Sequence, residues 1–410
     1  MGITTRISRG SGGILAAVII LMIMAAAGLL VFRHWHHTVP VQTNSNTMYN
    51  YNTPPVPGTE NIRAQPLFDS QLVHRLSSGP SVSPAAITPT TIKNAYSVPS
   101  SPAGAGTIAI IDAYDDTFAE QDLGTFSSYY SLRSCNSANG CFEKYKMIPG
   151  LSTDSGWALE TSLDVQWAHA IAPNARILLV EAKSDLISDL MNAVDYARSR
   201  PDVVAVSMSW GANEFVGETG YDSRLTSIHS VAFFAASGDA GHGVWWPAAS
   251  PNVIGVGGTT LTLTGGGAFS SETAWSGSGG GVSAYETEPS YQSGYGISGS
   301  GGYRGVPDLS YAADPNVDGM PIYDSIPNGG YSGWWTIGGT SAGTPQLAAL
   351  QATSRRITLS RLYTAAAGPG YSSYFRDITS GNNGGCGSLC NAGSGYDYVT
   401  GLGSPLTGRF

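Results

Sequence analysis

From about Ala95 onward, short and continuous apolar runs alternate with longer helical stretches, and this alternation constrains the chain more than any other feature. Thr107–Asp112 (TIAIID), Arg176–Glu181 (RILLVE), Val203–Ser209 (VVAVSMS), Val231–Ala236 (VAFFAA) and the shorter Val253–Val256 have strand length and little polar alternation. Helical spacing occupies Leu159–Ala170 and Asp185–Arg198. Strands that are apolar on both sides must be covered on both sides, which implies a parallel sheet between layers of helices. The expected fold is therefore α/β, a doubly wound, mostly parallel sheet forming one domain over residues 91–410. In such sheets the functional groups gather beyond the carboxyl ends of the strands. The polar residues that end these runs are the ones to weigh.

The preceding chain speaks of location. Arg6 and Arg9 come before an uncharged apolar run of 19 residues, Ile14 to Phe32, and Arg33 follows at once. That length suits a membrane-crossing helix better than the shorter apolar region of a secretory signal. Residues 1–37 are therefore expected to be an N-terminal anchor, with Ala25-Ala26-Ala27 leaving a cleaved signal as the alternative. Either way the remainder is exported, membrane-anchored or secreted. Residues 38–90 are polar and rich in Pro, Ser, Thr and Asn, and are expected to be a tether. The four cysteines form two close pairs, Cys135/Cys141 and Cys386/Cys390. In an exported chain these are expected to be disulfides, because the spacings are not CxxC and no His is near either pair in sequence.

Charge excludes other classes. Lys plus Arg is 20 against 29 Asp plus Glu, a net charge of −9, so nothing favours nucleic acid. No GxxxxGK[ST] sequence is present, which removes a P-loop. Protein or peptide substrates and a monomer are expected.

Three segments carry candidate chemistry. Ser341 lies in Gly338-Gly339-Thr340-Ser341-Ala342-Gly343-Thr344-Pro345, ahead of the apolar run Gln346–Thr353. A hydroxyl at a helix start sits near free N–H groups that can stabilise a developing oxyanion, although Ser is also a common helix cap. Glu160 and Asp164 are spaced i and i+4, so they share a helix face. Such a pair can share a proton and take another from a hydroxyl; the alternative is an ordinary solvated face. Asp239, in Ser237-Gly238-Asp239, follows an apolar strand. If neutral it can donate to an oxyanion; otherwise it makes a local turn. No His lies in the His-Gly-Thr-His pattern of subtilisins, and His169 and His242 are expected to be structural.

Taken in order, Glu160-x-x-x-Asp164, Val206-Ser207-Met208-Ser209-Trp210-Gly211, Ser237-Gly238-Asp239 and Gly339-Thr340-Ser341 resemble the sedolisins, the serine-carboxyl peptidases. So do Trp246–Pro251, Val256–Thr260 and Arg304–Asp308, and the similarity runs from about Ala95 to Pro405. The resemblance implies a subtilisin-like fold and an acid-acting endopeptidase. It implies Ser341 as nucleophile, Glu160 as base, Asp164 as its partner and Asp239 as oxyanion donor. Trp210 and Asp112 would extend the proton network. It further implies one structural Ca2+ held by Asp377, Ile378, Gly393, Gly395 and Asp397, five protein oxygens toward the six to eight that calcium takes. Two departures stand out. Gly343 replaces a second Ser common in the family, and only about 60 residues separate the apolar run from the domain, too few for a large folded prodomain. A catalytically silent surface protein of the same fold is the rival, and a His-based subtilisin-type protease is a further one.

Overall fold

The structure, a computed structural model, describes Gly2 and residues 51–68, 74–75, 87–100, 106–353 and 357–406. Contacts divide the chain into two units, Met1–Asn50 and Tyr51–Phe410, and all the described strands and helices belong to the second. The apolar run from Ile14 to Phe32 lies outside the described residues, among which no helix is long and apolar enough to cross a membrane.

Ten strands matter for the site: β1 (Gln65–Pro66), β2 (Thr107–Ala113), β3 (Phe142–Lys146), β4 (Arg176–Ala182), β5 (Val203–Met208), β6 (Trp210–Asn213), β7 (Ala232–Ala236), β8 (Val253–Leu263), β9 (Phe269–Ala274) and β10 (Leu309–Ala312). Eight of them form the main sheet, in the order β9-β8-β7-β5-β2-β4-β3, with β10 also pairing β8. Every pairing is parallel except β8 with β9. The expected doubly wound sheet is what forms. The run beginning at Val253 continues to Leu263, because its second half finds an antiparallel partner in β9.

Side chains along a strand alternate between faces, and β2 shows what that does here. Ile108 and Ile110 join one core cluster, while Ala109 and Ile111 join the other. Helix α1 (Ala119–Tyr129), helix α2 (Ser155–Ile171) and helix α4 (Thr340–Ala352) cover the first face; Leu123, Leu159, Leu163, Trp167 and Leu347 are packed there. Helix α3 (Ile187–Ser199) covers the second with Leu190, Met191 and Val194. Helix α2 is apolar nearly all round, and its residues from Trp157 to Ile171 are all buried.

Both cysteine pairs are disulfides, Cys135–Cys141 and Cys386–Cys390. Folding brings a His to each, which their sequence spacing concealed: His169 beside the first and His242 beside the second. Sulfur committed to a disulfide offers no thiolate, so neither cluster is a zinc site of the ordinary kind. His169 is buried, pushed down to about 4 by burial, and its Nε2 lies 2.7 Å from the Arg133 carbonyl, a structural role.

Candidate active site

Ser341 stands in the first turn of α4 and is fully buried. The cap position belongs to Gly339, at φ +120°, and no side chain caps this helix. The Ser341 hydroxyl instead donates to the Ser209 carbonyl oxygen at 3.1 Å, across from the end of β5. Gly339 cannot be replaced without disturbance. A Cβ there would stand 2.3 Å from Asp239 Oδ2 and 2.5 Å from the Leu67 carbonyl oxygen. Gly343 is also explained, since a Cβ at that position would lie 2.7 Å from Tyr311 Cβ. Tyr311 fills the space that a second Ser would need.

Glu160 and Asp164 project from α2, and both are fully buried rather than on a solvated face. Burial pushes both carboxyls well above their ordinary range, and each is raised further by Asp112; Glu160 is also raised by Asp164. The Ser341 hydroxyl is close enough to Glu160 to oppose that rise by favouring the ionised form. Its hydrogen nevertheless points at Ser209, and no formed hydrogen bond reaches either Glu160 oxygen or either Asp164 oxygen. Catalytic hydrogen bonds are often long before a substrate complex tightens them. Asp112, the penultimate residue of β2, is raised to about 8, by burial first and then by Glu181 and Asp116, against a contribution from the Thr161 hydroxyl. Three bare carboxyls this close cannot all ionise, so they hold protons as a group. Trp210 is buried beside them, but its Nε1 donates to the Ile111 carbonyl at 2.8 Å, a bond to strand backbone.

Asp239 follows β7, half-buried, and does not make a local turn. Its Oδ1 accepts from the Thr340 backbone N–H at 2.7 Å and the Thr340 hydroxyl at 2.7 Å. Thr340, which carries no sequence signal of its own, thus fixes this carboxyl beside the Ser341 turn. Arg304 and Asp308, from another matched segment, form a fully buried ion pair at 2.6 Å, and Asp308 also accepts from the Gly255 N–H. Their work is to pin β8 to the chain ahead of β10.

The cleft holds a further occupant. Residues 51–68, expected within the tether, pack on this unit. β1 pairs antiparallel with β6, Gln65 opposite Gly211 and Pro66 opposite Trp210. Leu67 donates its N–H to the Ser209 carbonyl at 3.0 Å and accepts the Ser341 N–H at 3.1 Å. Its side chain packs with Ala236 and Trp245.

The C-terminal loop carries Asp377 and Asp397, the two expected carboxylates. Asp377 accepts from Gly395 N–H at 3.1 Å and Tyr371 hydroxyl at 3.1 Å. Asp397 accepts from Gly393 N–H at 3.0 Å, Val399 N–H at 2.9 Å and Thr400 N–H at 2.8 Å. Among the described residues neither carboxylate has an ion-pair partner, and Asp397 is buried, which raises it. Two carboxylates without an ion-pair partner among the described residues, held on one glycine-bearing loop, are oxygen donors of the kind a hard divalent cation takes.

Comparison with known proteins places this geometry. The Subtilase family model matches residues 151–360. Sedolisin from Pseudomonas sp. (strain 101) is 31% identical over 363 residues, covering 77% of this chain and 59% of that protein. Kumamolisin from Bacillus sp. (strain MN-32) is 30% identical over 374 residues, covering 80% of this chain and 63% of that protein. The chain thus spans less than two thirds of the length of either relative. The solved structure of Pseudomonas sedolisin, a serine-carboxyl proteinase complexed with two molecules of pseudo-iodotyrostatin, superposes with a TM-score of 0.68 at 31% identity, covering 79% of this chain and 96% of that one. With its subtilisin-like fold and this set of acids around a helix-start serine, the chain belongs to the sedolisin family.

Proposed function

We propose that the chain is a serine-carboxyl endopeptidase that hydrolyses peptide bonds in acid through an acyl-enzyme on Ser341. The observation that carries this reading is the peptide already lying in the cleft, with the Leu67 carbonyl oxygen on the Ser341 N–H at 3.1 Å. A backbone N–H directed at a carbonyl oxygen beside a hydroxyl is the arrangement that acyl transfer uses. In the mechanism, Ser341 Oγ attacks the carbonyl carbon and its proton passes to Glu160. Asp164 holds Glu160 in place and, with Asp112, spreads a single negative charge over the buried group. Asp239, protonated, donates with the Ser341 N–H to the tetrahedral oxyanion. Glu160 then returns its proton to the leaving amine, and water releases the acyl group by the same steps in reverse.

The pH dependence follows. Glu160 accepts only when the carboxyl group as a whole has lost a proton, and Asp239 donates only while it keeps one. Because the three buried carboxyls share their protons, the group must shed its first one while Asp239 still holds its own, and we expect both conditions to meet in acid. Export, with an anchor or cleaved signal at the N-terminus, belongs to the same reading, and the two disulfides support it. One Ca2+ held by Asp377, Ile378, Gly393, Gly395 and Asp397 would stiffen the loop that ends beside β10; it supplies structure and no chemical step.

The test is a pH–activity profile on a denatured protein, run with the native chain and with Ser341→Ala. Activity confined to acid and lost in the variant is expected. Equal rates for the two proteins end the assignment, and absence of hydrolysis by the native chain at any pH leaves the silent rival standing.

A further inference from the structure

We propose that Asp185 is a specificity-determining residue of this enzyme: its carboxylate selects a positively charged side chain at the fifth residue before the bond that is cut. The inference rests on the peptidase reading above and deepens it.

Residues 62–67 show the path that a bound peptide takes. With its carbonyl oxygen on the Ser341 N–H, Leu67 stands just before the reacting bond, so Arg63 is the fifth residue back. A peptide is held by its backbone along strand edges, and side-chain sites then choose among sequences. Two edges hold it here. Gln65 and Pro66 lie opposite Gly211 and Trp210 of β6. Further back, Arg63 lies opposite Leu186 in an antiparallel bridge. The Ala64 N–H donates to the Asp185 carbonyl at 2.8 Å, and the Ile187 N–H donates to the Ile62 carbonyl at 3.0 Å. Residues 185 and 186 lead directly into α3, whose buried face fixes this second edge.

The Asp185 side chain makes the second edge selective. It forms an ion pair with the Arg63 guanidinium. Its Oδ1 also accepts from the Tyr114 hydroxyl at 3.0 Å. Tyr114 is itself held in place. It has φ +69°, an uncommon conformation for a residue with a side chain, and such residues gather where a ligand is clamped. Its N–H donates to the Ala182 carbonyl at 3.1 Å, and its ring meets the Trp157 ring edge-on, with centroids 6.4 Å apart. The carboxylate is therefore oriented by the domain and not by Arg63.

Among the described residues Arg63 is the sole cation paired with Asp185. The neighbouring Asp189 is engaged by the Ser184 hydroxyl at 2.6 Å and does not compete for it. A peptide that takes the place of residues 62–67 thus meets a carboxylate whose cation it must itself supply. Arg or Lys at the fifth residue supplies it, and Glu or Asp there is repelled. Exposure sets the size of the effect: the Arg63 side chain is 58% exposed and that of Asp185 19%. A pair so open to water gives a selectivity of a few-fold, which salt weakens. A pair that only anchored residues 62–67 would leave the choice among outside peptides unchanged.

The test uses three peptides, identical except for Arg, Gln or Glu at the fifth residue before a Leu. They are digested by the full chain in detergent at pH ~5, where ordinary carboxyl groups are ionised, and by Asp185→Asn and Asp185→Lys. The readout is the ratio of kcat/KM between peptides within each protein, so differences in folding or overall rate cancel. The native chain is expected to cut in the order Arg, Gln, Glu, with Arg favoured over Glu roughly fivefold and less so in ~1 M salt. The ratio should fall to about one in Asp185→Asn and reverse in Asp185→Lys. A native ratio near one, or a preference for Arg that survives in both variants, overturns the assignment of Asp185 and leaves the peptidase reading intact. If the native chain cuts neither these peptides nor a denatured protein at any acid pH, the peptidase reading itself falls, and this inference with it.

Discussion

Replacing Asp324 by Asn should remove one defined share of the stability that buried carboxyls cost this protein between acid and neutral pH. Asp116 lies in the loop before α1, Asp122 within α1 and Asp324 in the strand Met320–Asn328, and one carboxyl oxygen of each lies within 4.8 Å of the others. All are buried, and Asp116 Oδ2 and Asp324 Oδ2 receive no hydrogen bond. Asp324 is raised from 3.8 to about 8, by burial first and then by the Asp116 and Asp122 charges, against the Ile326 N–H that it accepts. A carboxyl raised on folding stabilises the fold fully below its unfolded value, and that contribution is lost as pH climbs through the folded value. The window for Asp324 thus opens near 3.8 and closes near 8. At roughly 1.4 kcal/mol per unit, the loss accumulated by pH ~7 is at most ~4 kcal/mol, and proton sharing among the three reduces it to ~2–3 kcal/mol. Asn keeps the bond from the Ile326 N–H, seen at 2.8 Å, and turns a bare oxygen into a donor facing the other two acids. In a Ser341→Ala background, to prevent autolysis, urea unfolding at pH ~4 should find the variant within ~1 kcal/mol of its parent. At pH ~7 the variant should be the more stable by ~2–3 kcal/mol. Parallel stability curves for the two proteins across that range would refute the reasoning.

Other consequences are as direct. Gly343→Ser forces a Cβ to within 2.7 Å of Tyr311 Cβ, so it should destabilise by ~1–3 kcal/mol in the same assay. In a peptide-library digest at acid pH, residues of Leu size should be favoured just before the cut and acidic ones rejected, because Ala236 and Trp245 line that site. Chelation should lower the unfolding temperature of the native chain, and Asp397→Asn should abolish that response, since it removes one of the loop's two carboxylates.

Much of the fold was legible because its strands are buried on both faces and so read as unbroken apolar runs. The Glu160/Asp164 pair was legible for a similar reason: helical spacing fixes which side chains share a face, and the neighbouring Leu159, Leu163 and Trp167 implied that the face is buried. Contacts made between distant segments left no local trace. Thr340 matters only because Asp239 arrives beside it, and Asp324 joins Asp116 and Asp122 only when a distant strand packs against α1 and the loop before it. Residues 64–68 were hardest. β1 is two residues long, without periodicity, and its conformation is imposed by Ser209, Gly211 and Ser341. The one clue in the sequence was the apolar pair Leu67-Phe68 standing in a polar stretch.

The central claim is that a buried carboxyl primes Ser341. The most direct measurement is kcat/KM of Glu160→Gln against the native chain on one peptide ending its acyl part in Leu. Gln keeps the size and burial of Glu160 but cannot take a proton. A fall of ~10²–10⁴-fold is the result predicted for loss of a general base. An undiminished rate would contradict the account.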